Sequence, residues 1–294
     1  MITIIGLDTI HIRPAETSDK AAILAFCQHT WKDEADYIPA VWDLWTADPS
    51  GHILVAALNG QPVGMTRLVQ LSATEGWWEG LRVDRTYRRQ GIGSQLTQAA
   101  LEMGHSLGLT TLRTCVSATN PSMHPFMQRQ GFTPLGDYAI YSASASESSP
   151  TALRQLGVED CNRTWAAINR FVAEERDLLF VARGAKWQTL TPANLLQRLG
   201  QGWVWGCFEG DTLVGLFIRS QMESPDGTLW IGWLGGTAPG LQVALSNMPN
   251  LAHQLGFKAV GGFLPQREPL QQLLSATGYQ FDEMSVYQLY RKDF

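Results

Sequence analysis

Cysteine is scarce in this sequence, and its few copies are scattered. The four cysteines among 294 residues are Cys27, Cys115, Cys161 and Cys207, and no two of them form a C-x-x-C pair. A chain of this length can bury an adequate core without disulfides, so we expect reduced thiols that are mostly buried. Histidine and cysteine do not group at the spacing of metal ligands either, so the sequence predicts no metal site.

Long apolar runs and basic segments are also missing. The N-terminal stretch MITIIGLDTI carries no basic leader, and no stretch approaches the roughly 18 apolar residues that cross a bilayer. We therefore expect a cytoplasmic protein without a membrane partner. With 22 basic and 27 acidic side chains the net charge is −5, so the chain is a poor candidate for general nucleic-acid binding, which needs a basic face. A composition of 45% hydrophobic and 17% charged residues argues against disorder.

The sequence is long enough for two domains. Its 294 residues are about twice the usual domain size. The most loop-like stretch, SASASESSP at residues 142–150, is small and polar, ends in proline and lies near the midpoint. We therefore predict one domain over residues 1–145 and a second over residues 146–294.

Hydrophobic periodicity in the first half alternates between the strand and the helix pattern. A helix capped at Thr17 or Ser18 follows the first strand, and Asn59-Gly60 is a hairpin signal. Leu96, Ala100, Met103 and Leu107 are predicted to form the apolar face of a long helix. Besides the capped helix, the pattern predicts strand 10–13, helix 34–45, strands 52–58, 63–71 and 77–83, helix 91–107, strand 109–116, helix 122–130 and strand 132–141. This order is typical of a mixed α/β sheet.

The second half repeats landmarks of the first. The matching residues recur in the same order at offsets of 147 to 151 residues: Gly64 with Gly215, Gly93 with Gly240, His105–Gly108 with His253–Gly256, and Gly131-Phe132 with Gly278-Tyr279. Each match alone is weak. Four in one order at nearly one offset predict two copies of a single fold.

The segment that carries chemistry is Leu81–Ser94, LRVDRTYRRQGIGS. A strand ends at Val83, a short basic loop follows, and a helix begins near Gly91. Gly91 and Gly93 let main-chain N–H groups approach a ligand, and the unpaired amides of a helix start favour an anion. With the charges of Arg88-Arg89, these features suit a pyrophosphate. The alternative is a glycine-rich turn with solvated arginines, which the strand–loop–helix context disfavours.

This segment resembles the GCN5-related N-acetyltransferases, the GNAT family. The family's acetyl-coenzyme A signature is Arg or Gln, two residues, Gly, one residue, then Gly or Ala, and RRQGIG at residues 88–93 fits it fully. Asn120 and Gly131-Phe132 fit the downstream family pattern, so the resemblance covers about residues 10–141. It implies that acetyl-CoA is bound by Leu81, Arg82, Val83, Arg88, Arg89, Gln90, Gly91, Ile92, Gly93, Ser94 and Asn120.

The resemblance implies a mixed α/β fold of two tandem GNAT-like domains, each a mostly antiparallel sheet flanked by helices. In the second half, Gly235-Gly236 takes the place of Arg88-Arg89, and Ala238-Pro239 takes the place of Gly91-Ile92. Both cations are lost, and the proline removes an N–H donor. We therefore expect a degenerate second domain and one acetyl-CoA per chain, used as a co-substrate.

Acetyl transfer to an amine needs a group that removes a proton from the attacking ammonium. Glu79 is the candidate base, because it precedes the motif on the same strand. Strand alternation puts it on the face of Leu81 and Val83 unless a bulge shifts the register. A carboxylate that faces water at the start of the strand is the alternative. For the oxyanion, the resemblance implies the backbone N–H of Val83.

The resemblance also implies a tyrosine seven residues after Asn120, as the acid for the departing thiolate, but the sequence has Met127 there. Methionine donates no proton. Tyr138, Tyr141 or a tyrosine of the second half are the candidate replacements, and a thiol of pKa about 8.5 also leaves without full protonation. His124, on the same predicted helix, is either structural or catalytic.

The sequence predicts an acetyltransferase that acts on a primary amine of a small molecule, by direct attack in a ternary complex. Most of the eleven tryptophans are predicted to be core residues. One or two of them are predicted to line an aromatic pocket for a cationic amine. A protein N-terminus or lysine as acceptor is one alternative, and a CoA-binding sensor or scaffold without turnover is another. We expect either a monomer whose halves form a pseudo-dimer or a homodimer.

Overall fold

The structure of the protein is a computed structural model. It describes residues 10–31, 35–147, 151–172, 178–222, 224 and 226–294. The predicted helix start at Glu34 and the end of the predicted linker, residues 148–150, lie outside the described residues. No helix in the described ranges is long and apolar enough to cross a membrane. In the same ranges, no three His, Cys, Asp or Glu side chains are grouped so that they could hold a metal ion.

The chain divides into two compact units that are interleaved in sequence. Unit 1 comprises residues 1–115, 122–134 and 290–294, and unit 2 comprises residues 116–121 and 135–289. In each unit, helices flank a mixed sheet. The boundary predicted after residue 145 was placed from the loop-like stretch at residues 142–150, and it stays a prediction.

Unit 1 is built on a sheet whose parallel pair lies at one side. Its strands, in spatial order, are β1 Ile10–Pro14, β2 Gly51–Leu58, β3 Gln61–Gln70, β4 Glu75–Val83 and β5 Thr111–Ser117. Neighbouring strands are antiparallel except β4 and β5, which are parallel. The helices of this unit are α1 Lys20–Cys27, α2 Ile38–Ala47, α3 Ile92–Ser106 and α4 Met123–Arg129.

Local sequence explains the connections of unit 1. Asn59 and Gly60 have positive φ values of 51° and 82°, which suit the tight turn between β2 and β3. Parallel strands need a crossover, and α3 supplies it between β4 and β5. Helices cover both faces of the sheet, because Gly64 faces Leu96 of α3 whereas the next residue, Met65, packs in the core formed with α1 and α2.

The apolar face of α3 differs in part from the predicted one. Leu96 and Ala100 are buried as predicted. Met103 and Leu107 are only half-buried, and the buried face continues instead to Gly104. The predicted helix is confirmed, and Gly104 extends its buried face although a glycine does not contribute to hydrophobic periodicity.

Residues from the end of the sequence complete unit 1 at this contact. A Cβ at Gly104 would lie 2.9 Å from Cζ of Phe294. The main-chain N–H of Phe294 donates to the carbonyl of Thr110 at 3.1 Å. The Thr111 hydroxyl and a carboxylate oxygen of Asp293 are 2.9 Å apart. Unit 1 is therefore held together in part by residues far away in the sequence.

Unit 2 repeats the same order of elements and adds a separate hairpin, β8 Leu179–Arg183 with β9 Lys186–Thr189. The strands that lie wholly or mostly in this unit are, in spatial order, β14 Gln280–Asp293, β6 Thr133–Ser144, β13 Ala259–Pro265, β12 Thr228–Gly236, β11 Thr212–Arg219, β10 Val204–Glu209 and β7 Arg154–Gln155. β12 and β13 are parallel. The helices are α5 Cys161–Phe171, α6 Pro192–Gly200, α7 Ala238–Gln254 and α8 Glu268–Ala276.

The predicted duplication of one fold is confirmed by the element order. The series β3–β4–α3–β5–α4–β6 corresponds to β11–β12–α7–β13–α8–β14. Gly108 and Gly256 follow α3 and α7 with φ values of 76° and 81°, and Gly131 and Gly278 follow α4 and α8 with 78° and 85°. A residue in the left-handed conformation directly after a helix ends that helix. The repeated glycines therefore mark equivalent helix ends.

Candidate functional site

The strand that leads into the predicted cofactor loop contains a β-bulge. In β4, Gly80 has a φ of 72°, and the register with β3 shifts between the pairs made by Glu79 and by Arg82. Two residues of β4 therefore stand opposite one residue of β3, which reverses the alternation of side chains. Glu79 shares the face of Arg82, and the prediction that it shares the face of Leu81 and Val83 is wrong.

The loop between β4 and α3 is held by its own side chains. A 3-10 turn, Arg85–Tyr87, is capped by Asp84, whose Oδ1 accepts a hydrogen bond from the Thr86 N–H at 2.9 Å. Arg88 folds back, and its Nε–H donates to the carbonyl of Val83 at 3.0 Å. Partial burial lowers the pKa of Arg88, but a guanidinium stays protonated at neutral pH. Arg88 therefore fixes the loop in addition to giving it charge.

Residues 88–94, here called the 88–94 loop, present main-chain donors at the start of α3. Arg89 and Gly91 have φ values of 65° and 82°, and Gly91 is the N-cap residue without a side-chain capping bond. The first helical bond of α3 runs from Gln95 N–H to the Gly91 carbonyl at 3.1 Å, so the N–H groups of residues 92–94 precede it. Nothing lies within 4 Å of the place where a Cβ would stand at Gly91. This geometry suits an anion.

The strands β4 and β5 separate beside this helix start. Their parallel pairing begins at Glu75 and ends at Trp77, although β4 continues to Val83. Leu81 and Val83 face α3, since their side chains lie 3.9 and 4.0 Å from a Cβ built on Gly93. An opening between two strands that ends at an uncapped helix start can hold a long ligand with an anionic end.

The corresponding helix start in the second half is capped by its own residues. Thr237 is the N-cap of α7, and its Oγ1 accepts from the Gly240 N–H at 3.2 Å. Its carbonyl accepts from the Leu241 N–H at 2.8 Å, and Pro239 has no N–H to offer. Because these donors are used or missing, the start of α7 is a poor anion site. The prediction of one cofactor per chain depends on this difference and stays a prediction.

Glu79 is held by a buried arginine. Arg67 on β3, whose side chain is 2% exposed, donates from Nη1 to Glu79 and from Nη2 to Asp48, each at 2.6 Å. Its guanidinium carbon also lies 4.8 Å from the centre of the Trp45 ring. The Glu79 side chain is 13% exposed, so the alternative of a carboxylate that faces water is wrong. One carboxylate oxygen of Glu79 accepts from Arg67, and any base chemistry starts from this fixed position.

Arg82 was predicted with the cofactor-binding segment, but its side chain lies on the α1–α2 face. Its Nε and Nη2 donate to the two carboxylate oxygens of Asp36 at 2.7 and 3.0 Å, and both side chains are buried. Burial raises the pKa of Asp36, but the ion pair with Arg82 outweighs burial and the net pKa is lowered. The rings of Trp31 and Tyr37 lie 5.3 and 5.1 Å from the Arg82 guanidinium. These two rings therefore contact the protein's own cation. The remaining tryptophans of unit 1 are core residues, as predicted, at most 8% exposed: Trp42, Trp45, Trp77 and Trp78.

The sequence around this site matches a known family. The model described as the acetyltransferase (GNAT) family matches residues 19–132, a segment that includes β4, the 88–94 loop and Asn120. Residues 19–132 belong to the GNAT family. No curated protein matched the sequence of the chain.

Solved GNAT structures share the fold of almost the whole chain. A GCN5-related N-acetyltransferase from Sphaerobacter thermophilus is 18% identical with a TM-score of 0.65, covering 97% of this chain and 95% of that one. A tandem GNAT protein from the clavulanic acid biosynthesis pathway is 16% identical with a TM-score of 0.56, covering 97% and 98%. A fungal glucosamine N-acetyltransferase region is 14% identical with a TM-score of 0.67, covering 98% of this chain and 38% of its multi-domain protein. The chain thus has a tandem GNAT fold.

Several residues predicted for the GNAT site lie in unit 2. The ring of Tyr138 is 5.3 Å from the ring of Trp187. Tyr141 is 4% exposed, and its hydroxyl accepts from Gln266 Nε2 at 3.1 Å. Asn120 follows β5 among the residues of unit 2. The assignment of the tyrosines as acids and of Asn120 to the cofactor stays a prediction.

Helix α4 of the GNAT domain carries a histidine–tyrosine pair. Met127, at the position where the family usually supplies a tyrosine, is fully buried. One turn earlier, His124 Nδ1 lies 2.8 Å from the hydroxyl of Tyr290, which is also fully buried. Tyr290 belongs to unit 1 although it lies in the second half of the sequence. The sequence could predict a tyrosine from that half as a replacement, but no local signal singled out Tyr290.

Proposed function

We propose that the chain transfers the acetyl group of acetyl-CoA to the primary amine of a small molecule, by direct attack in a ternary complex. The observation that carries the proposal is the uncapped start of α3 at the end of β4, with Gly91 and Arg89 in left-handed conformation. Residues 19–132 belong to a family of acetyltransferases. We therefore assign acetyl-CoA as the anionic ligand of this site. One acetyl-CoA is bound per chain as co-substrate.

The residues of unit 1 suit a pyrophosphate-bearing co-substrate. The N–H groups of Ile92, Gly93 and Ser94 are the proposed phosphate donors, and the open space at Gly91 lets a phosphate approach them. Bound acetyl-CoA supplies an acetyl group that is activated as a thioester. The backbone N–H of Val83 is the proposed oxyanion donor. Arg88 holds the end of β4 in place through the Val83 carbonyl.

Two side chains of unit 1 are assigned to proton transfer. Glu79 takes the proton from the attacking ammonium, directly or through water, while Arg67 fixes its carboxylate. His124, oriented by the hydroxyl of Tyr290, gives a proton to the departing thiolate, because Met127 at the family's tyrosine position has no proton to donate. Tyr138 and Tyr141 are the alternative donors.

A small acceptor is favoured over a protein chain. The α1–α2 face over Glu79 is filled by the buried pairs of Arg67 and Arg82 and by Trp45, so little of the Glu79 side chain is exposed. One protein of similar fold is described as a glucosamine N-acetyltransferase, which makes a compact amine a reasonable first acceptor to test.

The proposal is tested by acetyl-CoA binding and by thiol release. Calorimetry should give one acetyl-CoA per chain, and a panel of amino sugars, polyamines and alkylamines should include acceptors that release thiol. Peptides with a free N-terminus or a lysine, used as acceptors, should give little thiol release. Binding without thiol release from any acceptor would mean a sensor, and release with peptides alone would mean a protein acetyltransferase. Absence of binding would overturn the proposal.

Two glycine variants test the position of the co-substrate. Gly91 and Gly108 both have positive φ and nothing within 4 Å of a Cβ, so alanine introduces similar backbone strain at each. Gly91→Ala should raise the Kd of acetyl-CoA at least tenfold, because it adds a methyl group in the proposed phosphate cradle. Gly108→Ala should leave the Kd within twofold. Equal Kd values for the two variants would contradict the assignment of the 88–94 loop.

A further inference from the structure

The opening between β4 and β5 is flanked by Glu79 on one strand and Cys115 on the other. The last parallel pair of these strands is Trp77 with Arg113, and Glu79 and Cys115 follow two residues later on each strand. Side chains two residues apart on a strand share a face, so the two residues hold equivalent positions on either side of the opening. Both belong to unit 1. An acceptor that reaches the proposed base therefore comes from the face that these side chains share.

Tyr37 lies beside this part of β4. Its ring makes an edge contact with the ring of Trp45, with ring centres 6.0 Å apart. Trp45 in turn packs on the β-bulge, since a Cβ at Gly80 would lie 2.8 Å from its Cζ3. The Tyr37 ring centre also lies 5.1 Å from the guanidinium carbon of Arg82. These contacts place Tyr37 next to the stretch of strand that carries Glu79.

The surroundings of Tyr37 show that it lines a concave opening. Burial raises the pKa of its hydroxyl, Arg82 lowers that pKa, and the negative charges of ionised Glu79 and Cys115 raise it further. Nevertheless, 48% of the residue is exposed. A side chain whose hydroxyl is surrounded by protein while much of its ring meets solvent forms the wall of a cleft. Because the pKa is raised, the hydroxyl keeps its proton at neutral pH, and Tyr37 presents an uncharged ring.

An exposed ring beside the proposed base favours an acceptor that can stack on it. Two aromatic rings attract each other in offset or edge geometry, in addition to the gain from burying their surface. A saturated ring of the same size buries a similar surface but lacks this attraction. Ring contact holds the carbon skeleton of the acceptor and leaves its amine free to reach Glu79.

We propose that Tyr37 selects the acceptor, and that the acceptor is a primary amine joined by a short carbon chain to a planar aromatic ring. The ring of the acceptor stacks on Tyr37 while its amine meets the carboxylate of Glu79. This inference rests on the proposed function, which makes Glu79 the base, and it adds the class of amine and the residue that recognises it.

Initial rates of thiol release by the full chain, with 2-phenylethylamine and with 2-cyclohexylethylamine as acceptors, test the proposal. The native protein should have a kcat/KM about fivefold higher for the aromatic amine, because only that amine has a ring that stacks. Tyr37→Ala should raise the KM for 2-phenylethylamine about tenfold, change kcat less than threefold and abolish the preference. Tyr37→Phe keeps the ring and should keep the preference. No preference in the native protein, or a preference that survives Tyr37→Ala, would overturn the proposal.

Trp31→Ala is the matched control for Tyr37→Ala. The Trp31 ring is also exposed, and its centre lies 5.3 Å from the guanidinium carbon of Arg82, so both variants uncover the same buried cation. Trp31→Ala should leave the KM for 2-phenylethylamine within twofold. Equal losses in the two variants would mean that Tyr37 acts by covering Arg82, and they would contradict a contact with the acceptor.

Calorimetry separates a failure of this inference from a failure of the proposed function. In the presence of coenzyme A, 2-phenylethylamine should bind the native chain and should bind Tyr37→Ala about tenfold more weakly. That result without thiol release would support the contact with Tyr37 and contradict acetyl transfer. Absence of 2-phenylethylamine binding, or an equal Kd for the native chain and Tyr37→Ala, would overturn the inference even if other amines release thiol.

Discussion

At the level of single residues, Glu79 and Asp48 allow a direct comparison because Arg67 donates to both carboxylates. If Glu79 is the base, Glu79→Gln should lower kcat for thiol release about a hundredfold at pH 7. The Kd of acetyl-CoA should not change, because the variant removes proton transfer and not a phosphate contact. Initial rates from pH 6 to pH 9, with calorimetry in parallel, provide the measurement.

Asp48→Asn is the matched control for that experiment. It removes a negative charge from the same arginine, and we expect a loss of kcat of less than threefold. If both variants lose the same activity, Glu79 acts by positioning Arg67 and not as the base.

The histidine–tyrosine pair on α4 can be tested by removing a single oxygen atom. Tyr290→Phe should lower kcat about tenfold without changing the Kd of acetyl-CoA, since His124 loses its hydrogen-bond partner. Tyr279→Phe removes another buried hydroxyl, in unit 2, and should leave kcat unchanged. An unaltered kcat in Tyr290→Phe would exclude the pair as the acid.

The residues of the 88–94 loop could be predicted from sequence because their signal is local. Glycines and arginines at fixed spacing between a strand and a helix determine where the amides point. The orientation of Glu79 could not be predicted, since the bulge at Gly80 reverses the strand alternation. The partner of Arg82 was also missed, because Asp36 lies 46 residues earlier and nothing in the local pattern connects them.

At the level of elements, the Arg82–Asp36 pair joins β4 to the segment before α2, and stability measurements can test its contribution. Asp36→Asn leaves a buried guanidinium without its counter-ion and should lower the free energy of unfolding by about 3 kcal/mol. Asp43→Asn removes the carboxylate of an exposed pair with Lys20 and should cost less than about 1 kcal/mol. Urea denaturation of both variants measures the difference, and similar costs would contradict the structural role of the buried pair.

The same pair should make stability depend on pH in a defined direction. The folded-state pKa of Asp36 lies below its ordinary value of 3.8, so the ion pair contributes fully above that value. Its contribution is lost as the pH falls through the folded-state pKa. The stability gap between the native protein and Asp36→Asn should therefore be constant near neutral pH and should narrow below pH 3.8.

Helices and strands were predicted well where hydrophobic period and glycine placement agree. The hairpin at Asn59-Gly60 and the helix ends at Gly108 and Gly131 each follow from a residue that adopts positive φ easily. The face of α3 was predicted less well because its contact at Gly104 is made by Phe294. A helix pattern records which residues are apolar, but it does not record which distant residue packs on a glycine.

At the level of the whole molecule, residues 290–294 should matter most for the first half of the sequence. Deleting them removes Tyr290 from His124, Asp293 from Thr111 and Phe294 from α3. We expect faster amide hydrogen exchange in β5 and α4, and a lower midpoint of thermal unfolding for unit 1. Amides of β10 to β12 in unit 2 serve as the internal reference and should keep their protection. Faster exchange confined to β14, or spread evenly over both units, would contradict the assignment of these residues to unit 1.

The duplication was visible in the sequence, but the interleaving of the two units was not. A repeat is recognised from matching residues at a constant sequence offset, and those residues occupy equivalent positions in the two copies. Which copy a strand packs with depends on contacts between residues more than 150 positions apart, such as Thr111 with Asp293. Neither composition nor periodicity contains that information.

The late residues in unit 1 have a consequence for synthesis on the ribosome. The nascent chain must add the 155 residues of segment 135–289 before Tyr290 exists, which takes about 8 to 30 s at usual elongation rates. During that interval the N-terminal half lacks the contacts of Tyr290 with His124 and of Asp293 with Thr111. Completion of the first GNAT domain therefore follows the synthesis of segment 135–289, even though its signature loop is made early.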